Sequence, residues 1–254
     1  MNNSNDRRFI ARFADGEETL ESLHLRYRIF AEELGAKLKT ADVGIDADQY
    51  DPHCRHLIVR DTHTGDMVAS TRLLCEAGAA AAGSFYSENE FDLAFLRDLR
   101  GRKMEVGRTC VDPRFRNGVV IATLWSRLAQ CVREEHVDYL FGCASIGLAD
   151  GQAQARAVMS YLTGNYLSAA EQRARPYQTL PALVNGAPAT PTPRLPPLVK
   201  AYVSLGARAC GEAYWDRDFE CLDVFMLLDL QQLEPRYRRR FMRPAEEDAI
   251  ARAA

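Results

Sequence analysis

The 254-residue chain has no apolar run approaching the roughly 20 residues that span a bilayer, so any membrane role is expected to be peripheral. Its opening, MNNSNDRRFIARF, has no apolar stretch of the length a secretion signal needs. Large net charge is absent too. With 32 Lys and Arg against 35 Asp and Glu the balance is −3, too small to argue for nucleic-acid binding, and partners are to be sought in local patches. The seven cysteines include no CxxC pair and are odd in number, which reads as reduced thiols in a cytoplasmic protein. There is no internal repeat and no Rossmann or P-loop glycine pattern. What is present, 47% hydrophobic and 26% charged residues, suits a globular protein able to bury a sizeable core.

The order of elements follows from periodicity. Residues 7–13 alternate weakly, as a first strand would. Asp15 and Glu18 form the pattern of a capping box, and a helix is expected to follow with Leu20, Leu23, Tyr27, Phe30 and Leu34 on one stripe, ended by Gly35. After a polar stretch at 42–55, HLIVRD and MVASTRLL read as an antiparallel hairpin. An Ala/Gly linker and FYSENEFDL lead to KMEVGRTCV, a central strand. Then come a helix at about 119–136 and the strand YLFGCAS. Residues 150–197 read as a helical, then Pro- and Ala-rich insertion. LVKAYVSLG is a short helix and CLDVFMLLDL a last buried strand. This succession predicts one domain over 1–254, built on a mixed, mostly antiparallel α/β sheet flanked by helices.

Four clusters carry candidate chemistry. Arg26 lies four residues before Phe30, hence beside it on the helix, at the edge of the apolar stripe. It is either a site cation or an arginine whose stem packs beside the core. Asp46, Asp48 and Asp51 gather three carboxylates in six residues. The loop lacks the glycine and closing glutamate of a calcium loop, and His53-Cys54-Arg55-His56 lacks a second ligand pair for zinc, so no metal is expected. A cationic amine partner and a solvated turn both remain open. In the third cluster, Glu105 and Arg108 stand inside a central strand, where buried charge is costly unless paired or functional. A regular strand would point them to opposite faces, and a bulge at Val106 or Gly107 would bring them to one. A structural ion pair is the other reading. The fourth is Pro113 to Gly118, a turn opening a helix, where backbone N–H groups and Arg114 and Arg116 favour an anion.

Taken together, the stretches LRYRIFAEELGA, DADQYDPHCRHLIV, STRLL, GSFYSENEFDL, MEVGRTCV, LFGCASIGL, LPPLVKAYVSLGA and DFECLDVFMLLDL resemble, in order, the ornithine N-acyltransferases of ornithine-lipid synthesis. The chain is more distantly similar to the acyl-homoserine lactone synthases, chiefly in its first half, through Arg26, Phe30, Asp48, Asp51, Arg72, Phe85, Glu105 and Arg108. Both families have the GNAT fold. In acetyl-CoA-binding relatives the fourth cluster reads Gln/Arg-x-x-Gly-x-Gly/Ala. Here Phe115 takes the first position, Gly118 the second and Val120 the third. That departure is compatible with a pantetheine arm hanging from a carrier protein.

The resemblance implies a soluble N-acyltransferase that moves a 3-hydroxylated fatty acyl group from acyl carrier protein to the α-amine of L-ornithine. No cofactor would be permanently bound, the acyl-phosphopantetheine thioester being a substrate. It implies Glu105 as general base, with Arg108 and Arg26 ordering the polar end. Asp48, Asp51, Arg72 and Phe30 would surround the acceptor, and Phe85, Phe91 and Trp125 the acyl chain. The donor would lie along Thr109, Cys110 and Val111, whose N–H groups face the oxyanion, and along Arg114, Arg116, Asn117 and Gly118. Three alternatives stand beside this reading: another amine as acceptor, a lactone synthase, and a binding module without catalysis. The Pro-rich insertion and long second half argue against the lactone synthase. Residues 236–243 hold five arginines in eight, a basic tail suited to an acidic carrier or an anionic inner membrane.

Overall fold

The opening turn of a helix has backbone N–H groups with no intrahelical partner. In the computed structural model Asp15 Oδ1 accepts from Glu18 N at 3.1 Å, and Glu18 Oε2 accepts from Asp15 N at 3.3 Å, the expected capping box. The structure describes residues 7–149, 151–181 and 191–233. In chain order its first elements are β1 (Phe9–Phe13), α1 (Gly16–Tyr27), β2 (Arg55–Asp61), β3 (Met67–Cys75), α2 (Glu76–Ala82), β4 (Phe91–Asp92), α3 (Phe95–Asp98) and β5 (Arg102–Val111). There follow α4 (Val119–Glu134), β6 (Val137–Gly147), α5 (Gln152–Asn165), β7 (Arg175–Pro176), α6 (Pro197–Leu205), β8 (Arg208–Ala209), β9 (Tyr214–Asp216) and β10 (Cys221–Asp229).

These elements form two compact units, the first holding the chain up to Leu74 together with Val106–His136. Its strand order is β1-β2-β3-β5. β1 pairs antiparallel with β2 from Phe9↔Asp61 to Phe13↔Leu57, and β2 pairs antiparallel with β3, the hairpin expected from the sequence. Helices α1 and α4 pack on β2. Leu57, Ile58 and Val59 are consecutively buried, as a strand covered on both faces requires.

The second unit holds Cys75–Glu105 and the described residues from Val137 to Leu233. Its order is β5-β6-β10-β8, with β9 also on β10 and a separate β4-β7 pair. β5 pairs parallel with β6 up to Glu105↔Phe141, and β6 pairs antiparallel with β10 from Cys221↔Gly147 to Asp229↔Tyr139. Helices α5 and α6 pack on β6. Strand β5 thus gives residues 102–105 to one unit and 106–111 to the other. The sheet is mixed and mostly antiparallel, as expected.

Three local expectations are corrected. The stripe assigned to α1 holds at Leu23, which is buried, but Leu20 and Leu34 are 51% and 60% exposed, and the buried face includes Ser22, Leu25, Arg26 and Ile29. That face has helical spacing but carries two polar side chains, which a hydrophobicity pattern passes over. The helix then widens into a π-turn over Arg28–Glu33. The Ala/Gly linker after Cys75 is helix α2, consistent with alanine's helix propensity, and it ends at Gly83 with φ 98°. The stretch read as an insertion begins with α5, whose Ala155, Ala157, Val158 and Leu162 are buried, so this part is core. The basic tail at 236–243 lies outside the described residues.

Candidate active site

In the first unit α1 delivers Arg26 into the core, fully buried. Such a guanidinium needs charged acceptors. Arg26 Nε donates to Asp46 Oδ2 at 2.8 Å and Nη1 donates to Asp51 Oδ1 at 2.6 Å. From β3, Arg72 Nη1 donates to Asp48 Oδ1 at 2.7 Å and to Asp51 Oδ1 at 3.0 Å. From β5, Arg108 Nε donates to Asp46 Oδ2 at 3.2 Å, with Nη2 3.8 Å from Asp48 Oδ2. Three arginines and three aspartates therefore compensate one another. Burial alone would raise the Asp51 carboxyl, but the charges of Arg26 and Arg72 hold it below the ordinary carboxylate range. His56, with Nε2 3.3 Å from Asp51 O, is pushed down by burial. Arg26 is thus at the centre of this network rather than at the edge of an apolar stripe. Phe30, half-buried, packs against Leu25, Ile29 and Cys110.

Against β6, strand β5 shifts register between Arg102 and Lys103, and Arg108, one residue beyond Gly107, has a φ of 51°. A non-glycine residue in this region is uncommon and carries a modest strain. Here the two aspartate contacts hold the guanidinium. Thr71 Oγ1 lies 2.7 Å from Thr109 Oγ1 and 3.1 Å from Gly107 O, tying β3 to this part of β5.

In the second unit Glu105 is 3% exposed. Its Oε2 accepts from Tyr86 N at 2.7 Å, and its Oε1 accepts from Ser87 N at 2.8 Å and from Ser87 Oγ. Three of a carboxylate's roughly four acceptor positions are taken by one short turn, which fixes the side chain's orientation. Ser87 Oγ also lies 3.2 Å from Cys143 Sγ on β6. Phe85 packs edge-on to Phe141 with centroids 4.9 Å apart. It also lines a cavity of about 380 Å³ shared with Ala79, Leu93, Leu96, Arg97 and Lys103. Phe91 is fully buried against Phe225 and Tyr214. Trp125 is half-buried on α4, in the first unit.

Residues 112–118 make the turn into α4. Gly118, with φ 90°, caps the helix, and Asn117 Oδ1 accepts from Val119 N at 3.1 Å. Arg114 is paired with Asp112 at 2.9 Å, and Arg116 with Glu33 Oε2 at 2.8 Å. Both guanidiniums thus already have carboxylate partners, and Val120 is fully buried beneath the helix start.

Sequence reasoning missed a second set of buried acids. Asp216 on β9, Cys221 and Asp223 on β10 bring ligand atoms within 4.8 Å of one another. Ser145 Oγ donates to Asp223 Oδ1 at 2.6 Å. Glu90 is 3% exposed, and burial, then the charge of Asp223, push its carboxyl well above the ordinary range. The available signal was an Asp inside the otherwise apolar run CLDVFMLL.

Residues 25–126 match a family model described as an acetyltransferase (GNAT) domain. An N-acyl amino acid synthase from uncultured soil microbes superposes with a TM-score of 0.51 at 14% identity, covering 89% of this chain and 92% of that one. A CoA-dependent acyl-homoserine lactone synthase gives 0.51 at 15% identity, covering 87% and 82%. These two likenesses establish the fold. Closer in sequence, the L-ornithine N(alpha)-acyltransferase of Rhodobacter capsulatus is 33% identical over 243 residues, 91% of this chain and 93% of the relative. That of Brucella abortus is 34% identical over 230 residues, 84% and 81%. With a GNAT fold and that identity over nearly its whole length, the chain belongs to the L-ornithine N(alpha)-acyltransferase family.

Proposed function

We propose that the protein transfers a 3-hydroxylated long-chain acyl group from the phosphopantetheine thioester of acyl carrier protein to the α-amine of L-ornithine, giving a lyso-ornithine lipid. The observation that carries this reading is the 33% identity to a named ornithine acyltransferase over 91% of the chain. The neutral amine attacks the thioester carbonyl, a C–N bond forms and the C–S bond breaks. One proton leaves the nitrogen and one returns to the departing thiolate. Glu105, buried and held by Tyr86 and Ser87, is the base, directly or through a water. Backbone N–H groups at Thr109, Cys110 and Val111 serve the developing oxyanion. Arg26, Arg72 and Arg108, locked to Asp46, Asp48 and Asp51, keep that part of β5 in register. The cavity beside Phe85 is suited to the acyl chain through Leu93 and Leu96.

Gly118, Arg114 and Arg116 serve the phosphate of the pantetheine arm. The preference for a carrier rests on Val120, which takes the place of a small residue. A CoA donor is the second reading, favoured by the CoA dependence of a synthase with the same fold. Among the described residues no helix is long and apolar enough to cross a membrane, and an amphiphilic product suits action at the inner membrane surface. The test incubates purified protein and ornithine with the same acyl group on carrier protein or on CoA, followed by mass spectrometry. Acylornithine formed with higher kcat/KM from the carrier is expected. Equal efficiency overturns the carrier, and no acylornithine from either donor overturns the function.

A further inference from the structure

The turn Tyr86–Asn89 is closed by a side chain that comes from another strand. The first N–H groups of a helical turn have no partner within it. Here Tyr86 N and Ser87 N both donate to Glu105, at 2.7 and 2.8 Å, so its carboxylate caps the turn. The turn is braced by its own residues too, Glu88 Oε2 accepting from Phe85 N at 2.9 Å. Phe85 then stacks edge-on against Phe141, the residue that pairs with Glu105 between β5 and β6. Backbone donors alone would satisfy a capping role. Ser87 adds a donor that a cap does not need. Its hydroxyl, on a residue with no solvent exposure, also donates to Glu105 Oε1. An ionised carboxylate only accepts, so the hydroxyl proton is committed to it. Cys143 Sγ on β6 lies 3.2 Å from the same Oγ, a second contact that limits its rotation.

We propose that Ser87 is a positioning residue for acyl transfer: its hydroxyl holds the Glu105 carboxylate in the orientation that takes the amine proton. This rests on Glu105 being the base and names the side chain that aims it. Hydrogen bonds to an ionised acceptor are short and directional, and stronger than neutral ones. Proton transfer requires the accepting oxygen within hydrogen-bond reach of the amine as it attacks. Misplacing such a group costs rate rather than ground-state binding. Removing Oγ leaves both backbone bonds to the turn in place. The fold keeps its cap while the carboxylate loses an anchor.

The experiment is a double-mutant cycle between Ser87→Ala and Glu105→Gln, followed by steady-state and single-turnover acylation of ornithine well below Tm. Ser87→Ala is expected to lower kcat about ten- to a hundredfold, with KM for ornithine and for the acyl donor unchanged. In the Glu105→Gln background the same substitution should cost less than about twofold, because its effect passes through the carboxylate. Ser87→Thr, which keeps the hydroxyl, should restore most of the rate. Full kcat in Ser87→Ala overturns the proposal, as does a threonine variant as slow as the alanine one. An equal loss in both backgrounds, the mark of a purely structural role, also overturns it. If Ser87→Ala does not fold, Ser87→Cys, a weaker donor of similar size, takes its place in the same cycle. Wild-type turnover in Glu105→Gln refutes the base itself, and this proposal with it. If the wild type acylates a different amine, the ornithine reading alone fails, and the cycle is run on that amine.

Discussion

Both units bury ionisable side chains, but they balance them differently. In the first, Arg26, Arg72 and Arg108 meet Asp46, Asp48 and Asp51, and the charges cancel within a few ångströms. In the second, Glu105, Asp216 and Asp223 accept from hydroxyl, thiol and backbone donors, with Ser87, Ser145 and Cys221 prominent. A compensated network gains little from a substrate and much from staying closed. The comparison teaches that burial alone does not define a residue's role: Arg26 is met by carboxylates, whereas the bonds described for Glu105 come from backbone and hydroxyl donors.

The largest expected effect breaks the second region. Glu105→Gln should lower kcat by about 10² to 10⁴-fold, the usual worth of a general base. An amide cannot accept from both Tyr86 N and Ser87, so a stability loss of about 1–3 kcal/mol should accompany it. Single-turnover rates well below Tm separate the two, and near wild-type turnover would remove Glu105 from the chemistry.

Breaking the first region should act on stability. Arg26→Met leaves Asp46 and Asp51 buried without their partner, a loss of about 3–5 kcal/mol, or roughly 6–20 °C in Tm. The sign with pH follows from Asp51, whose folded carboxyl titrates below its unfolded value. Its contribution is present above the unfolded pKa, near 4, and disappears as pH falls through the depressed value. Urea unfolding should therefore show the wild type's advantage over Arg26→Met shrinking in acid.

Glu90 has the opposite sign, because its carboxyl is raised. Its folded form is fully stable below the unfolded pKa and loses stability as pH rises through the folded value. Glu90→Gln should therefore be more stable than the wild type at pH 8. The gap should narrow toward pH 4, and a pH-independent difference would contradict the assignment. The smallest effect belongs to the turn before α4. Arg114→Gln with Arg116→Gln removes two exposed ion pairs, so stability should change by less than about 1 kcal/mol each. KM for the loaded carrier should still rise a few-fold.

Much of this was legible in the sequence. Alternation and period placed β1, the β2–β3 hairpin, β5, α4 and β10, and Asp15 with Glu18 marked the start of α1. The weight of Arg26, Asp48, Asp51, Arg72, Glu105 and Arg108 was visible through resemblance, but their mutual pairing was not, since it joins residues 20 to 62 positions apart. Leu20 was misplaced because Ser22 and Arg26 occupy the buried face of α1, and a hydrophobic pattern has no symbol for a paired charge. Glu90 and Asp216 went unseen for a similar reason. Asp216 meets Asp223 only through the β9–β10 pairing, Glu90 is buried in the turn before β4, and nothing local in either segment announces burial.

The central claim is acyl transfer to the α-amine of ornithine, and a competition assay tests it most directly. Loaded carrier protein is mixed with the enzyme and equimolar ornithine, lysine, glutamine and S-adenosylmethionine, and products are resolved by tandem mass spectrometry. The account predicts Nα-acylornithine as the dominant product. A dominant acyl-homoserine lactone, or acylation of glutamine in preference to ornithine, would contradict it.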